Sequence, residues 1–113
     1  PLIAMGDAPD KPDPTGLIAL SSKLSKKPLG VSNSPIAYIG DTVADVKTVI
    51  NARIKIPEQK FISLAIAPPH LHAAKNRENR LRYEAELRKA GADFIIKSMD
   101  NLKNEILNLL INQ

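Results

Sequence analysis

Four short apolar runs, each followed by a segment of helical character, constrain the fold of this chain more than any other feature. The runs are Pro1–Met5 (PLIAM), Ile36–Ile39 (IAYI), Phe61–Ala67 (FISLAIA) and Asp93–Lys97 (DFIIK). None alternates apolar with polar residues, as a half-exposed strand would, so each reads as a strand buried on both faces. Between and after them lie helical patterns: Leu17, Leu20 and Leu24; then Val43, Val46, Val49 and Ile50; then a charged segment to about Ala90; then Leu102, Ile106, Leu109 and Leu110 from about Asp100. Parallel strands need crossovers, and crossovers of this length are helices. The expected class is α/β, a Rossmann-like parallel sheet of about four strands with helices on both faces.

Local signals mark the joints. Asp13 is a candidate N-cap with Pro14 at the first helical position. Gly40 permits a sharp turn after the second strand, and Gly91 is the expected C-terminal cap of the third helix. Thr42 and Asp45 fit the Ser/Thr-x-x-acid capping box. At 113 residues, the chain is one domain, spanning 1–113.

Several functions are excluded or disfavoured by what is missing. There are no cysteines, so disulfides, zinc–thiolate sites and thiol nucleophiles are ruled out. No apolar run approaches the roughly 20 residues of a membrane span, and no signal-peptide pattern opens the chain. The expectation is no membrane partner and a location in the cytoplasm or an organelle interior. Glycine loops of the dinucleotide or Walker type are absent. The net charge of +4 is concentrated in Lys75–Lys89, with six basic and three acidic residues around the single aromatic Tyr83. Mixed signs along a helix read as a solvated face, so no nucleic-acid partner is expected.

In open parallel sheets, ligands bind beyond the carboxyl ends of the strands. Lys11 follows the first strand there, Asp41 and Asp45 the second, His70 and His72 the third, and Lys97 the fourth. Asp41 at a strand tip and Asp45 in the first helical turn can face one crevice. Mg²⁺ takes one or two carboxylates with waters and a substrate phosphate, which suits that spacing. The two histidines lack further ligands nearby, so a solvated or helix-entry role is expected of them.

Lys11-Pro12-Asp13-Pro14, followed by IAYIGDTVADVKTVINAR (Ile36–Arg53), resembles the third and fourth motifs of the haloacid dehalogenase (HAD) superfamily of phosphohydrolases. The resemblance is to the branch with a small helical cap, which includes phosphoglycolate-phosphatase-like enzymes, and it continues through Pro68-Pro69 and Ala90–Ile96. It implies that Lys11 stabilises the nucleophilic carboxylate and the phosphoryl oxygens. It also implies that Asp41 is a direct Mg²⁺ ligand, that Asp45 is a ligand or an orienter behind it, and that the substrate is a small phosphorylated metabolite.

The departure is as specific as the match. That family attacks with the first aspartate of an Asp-x-Asp pair after an N-terminal strand, and no such pair follows a strand here. The chain, beginning at Pro1 with its first methionine at Met5, is therefore expected to be the back half of such a hydrolase. Alone it should be inactive and should self-associate through an exposed sheet edge unless the missing N-terminal half completes it. Two alternatives stand beside this reading. One is a degenerate HAD scaffold. The other is a receiver-like signalling module phosphorylated on Asp41, suggested by Lys97 after the last strand; against it, Asp7 and Asp10 are poorly spaced for the acidic pair a receiver needs.

Overall fold

The computed structural model describes residues 2–4, 12–97 and 104. Four parallel strands, β1 (Leu2–Ala4), β2 (Ile36–Gly40), β3 (Phe61–Ile66) and β4 (Phe94–Ile96), form one sheet in the order β1-β2-β3-β4. Three helices separate them: α1 (Thr15–Leu24), α2 (Val43–Lys55) and α3 (Arg77–Ala90), the last preceded by two short 3-10 turns. The α/β parallel class is as expected, but among the described residues the helices, expected on both faces of the sheet, lie on one. Lys11 and most of the helix expected from about Asp100 lie outside the described residues; Asn104, within that span, is helical and exposed. No described helix is long and apolar enough to cross a membrane.

A sheet whose spatial order follows chain order, with crossovers of one hand, stacks its helices on one face. The core shows that result. Leu17 of α1 and Val49 and Ala52 of α2 pack on Ile3, Ile36, Tyr38 and Phe61, while Val46 of α2 and Leu87 of α3 pack with Ala65 and Ala92. Strand periodicity turns Ala37, Ile62, Leu64, Ile66 and Ile96 to the other face, where they form a separate buried cluster that includes no described helical residue. Each fully buried aliphatic side chain stabilises the fold by roughly 1.5–3 kcal/mol relative to exposure.

The helix boundaries follow local chemistry. Asp13 Oδ1 accepts the Thr15 N–H at 2.8 Å, but the cap residue is Pro14, whose carbonyl accepts the Ile18 N–H at 2.9 Å, so α1 starts one residue later than the expected Asp13 cap with Pro14 at the first helical position. The bonds from Thr15 hold the Asp13 carboxyl below its ordinary value. At the other end of α1 the expected stripe fails: Leu24 is exposed, and Ser21, one turn after Leu17, is buried instead. Gly91 ends α3 with φ +119°, and the Gly91 and Ala92 N–H groups bond to Arg88 O and Leu87 O in a Schellman arrangement.

Candidate functional site at the carboxyl end of β2

The loop from Gly40 to Asp45 is held from three sides. Asp45, only 2% exposed, is its hub. Its Oδ2 accepts the N–H of Asp41 at 3.2 Å, the N–H of Thr42 at 3.1 Å and the hydroxyl of Thr42 at 2.8 Å. Its Oδ1 accepts the buried Tyr38 hydroxyl at 2.9 Å. Thr42 Oγ1 in turn accepts the Asp45 N–H at 3.2 Å, completing the capping box. Both oxygens of Asp45 are thus engaged within the chain.

Gly40 serves this arrangement differently from the expected turn. It is the last residue of β2, and a Cβ built on it would lie 2.3 Å from Asp45 Cβ and 2.6 Å from Asp45 Oδ2. The glycine provides space, letting the carboxylate swing under the strand end to reach the amides beyond it.

Asp41 presents the opposite picture. Its N–H is held by Asp45 and its carbonyl accepts the Tyr83 hydroxyl from α3. Its carboxylate has no hydrogen-bond or ion-pair partner among the described residues, although the residue is half-buried. Tyr83 keeps its proton to higher pH than an ordinary phenol, because burial disfavours the phenolate and the charges of Asp41, Asp45 and Glu86 add to that. The hydroxyl is therefore a donor throughout the neutral range.

The other expected residues are distributed as follows. Lys97, just beyond β4, donates from Nζ to Glu84 Oε1 of α3 at 2.8 Å. Glu84 is 3% exposed, and its Oε2 lies 3.7 Å from Arg80 Nε. His72 Nε2 lies 2.9 Å from the Ala67 carbonyl, and His70 is exposed on the first 3-10 turn. Among the described residues, no three His, Cys, Asp or Glu side chains gather as a metal cage. Mg²⁺ does not demand one, since it keeps several waters and binds through one or two carboxylates. The unpartnered Asp41 carboxylate, on a backbone fixed at both its N–H and its C=O, fits that requirement as a single hard-oxygen ligand.

Two contributors were not foreseen. Tyr83 and Glu84 lie in the segment read as a solvated face, a reading that holds for the exposed Glu78–Arg82 pair. The available signal was the i,i+4 relation of Tyr83 to Leu87, which places Tyr83 on the apolar side of α3. Comparison with known proteins finds no matching family model, no matching curated protein and no matching solved structure.

Proposed function

We propose that this chain is the metal-binding half of a Mg²⁺-dependent phosphomonoester hydrolase of the HAD type, with the attacking carboxylate supplied from outside these 113 residues. The observation that supports this reading best is the contrast within one loop, where Asp45 is consumed by internal hydrogen bonds and Asp41 offers its carboxylate at the carboxyl end of a parallel strand. In this reading Asp41 holds Mg²⁺, Asp45 fixes the Asp41 backbone, and Lys11 meets phosphoryl oxygens. When bound, Mg²⁺ supplies neutralisation of the charge on the phosphoryl group, the largest requirement of phosphoryl transfer. The substrate class is a small phosphorylated metabolite. The partner is the N-terminal half of the same hydrolase, seated on the sheet; without it, the edge strand invites self-association.

A receiver-like role would have Lys97 serve a phosphorylated Asp41, and the bond from Lys97 to Glu84 weighs against it. Incubation with acetyl phosphate and Mg²⁺, followed by mass spectrometry, separates the two. The hydrolase-half reading expects no lasting adduct on Asp41 and no turnover of p-nitrophenyl phosphate. A long-lived phospho-Asp41, or Mg²⁺-dependent turnover abolished by Asp41→Asn, overturns it.

A further inference from the structure

The Tyr83 hydroxyl crosses from α3 to the backbone carbonyl of Asp41, a residue 42 positions away in sequence. Water could satisfy a half-buried phenol equally well, so burial alone does not call for this bond. The ring is anchored at its base by packing against the cluster of Val46, Ala65, Leu87 and Ala92, which aims the hydroxyl at the loop. The Asp41 N–H is tied to Asp45 in the first turn of α2, so the residue is clamped from two different helices. With both peptide groups fixed, the side-chain torsions are the remaining freedom of the carboxylate. A ligand that presents a single carboxylate to a hydrated cation depends on such support, because no cage of described neighbours corrects its position.

We propose that Tyr83 is the positioning residue of the Asp41 cation seat, acting through the Asp41 carbonyl without touching the ion. This rests on the reading of Asp41 as a metal-binding acid. Removing the hydroxyl lets the loop carbonyl drift, and cation affinity falls more than stability alone would explain.

The test uses Mn²⁺, which shares the preference of Mg²⁺ for oxygen ligands and reports free and bound ion by electron paramagnetic resonance. The full chain is titrated as wild type, Asp41→Asn, Tyr83→Phe and Arg53→Met. Arg53 bonds the Phe61 carbonyl at the amino end of β3, so its variant is destabilised at a site remote from the loop. The expected result is Mn²⁺ binding lost in Asp41→Asn, weakened on the order of tenfold in Tyr83→Phe, and unchanged in Arg53→Met at equal folded fraction by circular dichroism. Unaltered affinity in Tyr83→Phe, or an equal loss in Arg53→Met, overturns the role of Tyr83 and leaves the seat standing. No binding by the wild type, or binding indifferent to Asp41→Asn, overturns the seat itself. Tyr83→Met, which also lacks a donor, answers the same question should the phenylalanine variant not fold.

Discussion

The two ends of the sheet use polar side chains in opposite ways. At the amino ends of the strands, the polar groups close on one another. The Gln59 side chain accepts from the Gly30 N–H and the Asn33 amide and donates to the Ser34 and Lys60 carbonyls. Arg53 bonds the Phe61 carbonyl twice and pairs with Asp93, which accepts the Ser63 N–H at 2.7 Å. At the carboxyl end of β2, the N–H and C=O of Asp41 are both bonded, yet its carboxylate has no partner among the described residues. A half-buried carboxylate without a partner among the described residues, on a backbone held at both its N–H and its C=O, is the feature on which the proposed cation seat rests.

Variants that break this contrast should rank by how much of the closed network each removes. Asp45→Ala has the largest effect, about 3 kcal/mol or more, because it deletes the capping box and the carboxylate's bonds to the Tyr38 hydroxyl and to the Asp41 and Thr42 amides; urea denaturation measures it. Gly40→Ala follows at about 2–3 kcal/mol, since the new methyl must displace Asp45 or the strand end, and the Asp41 and Thr42 amides should lose hydrogen-exchange protection. At the opposite end, Arg53→Met costs about 1–2 kcal/mol through the lost bonds to Phe61 and Asp93, leaving amide exchange in the Asp41 loop unchanged.

Alkaline titration gives a smaller, signed effect. The folded-state value of Tyr83 is raised above that of the unfolded chain, so its contribution is complete below about pH 10 and is lost as pH rises through the folded value. The stability difference between wild type and Tyr83→Phe should therefore hold constant from pH 7 to 9 and shrink above pH 10.

The parallel α/β class was readable from the four apolar runs, and the Thr42–Asp45 box and the Gly91 cap because each rests on neighbours within a few residues; the Asp13 cap was placed one residue too early. What escaped depends on distance in space. Gly40 was read as a turn residue, whereas its lack of a side chain matters for a contact with Asp45 across the loop. Leu24 was placed on the core face by spacing, but α1 turns Ser21 inward and leaves Leu24 beyond the sheet. Tyr83 and Glu84 looked solvated because a run of charges hides which side of a helix meets the sheet. Asp41 and Asp45 were readable as a pair from spacing, and only the hydrogen bonds separate the anchored carboxylate of Asp45 from that of Asp41.

That separation is tested most directly by thermal denaturation of wild type and Asp41→Asn with and without 10 mM Mg²⁺, about the range where weak hydrated sites fill. Without metal the two should agree within about 0.5 kcal/mol, as expected for a side chain outside the closed network. With Mg²⁺ the wild-type midpoint should rise and that of Asp41→Asn should stay in place. Equal shifts in both proteins, or none in the wild type, would contradict the account.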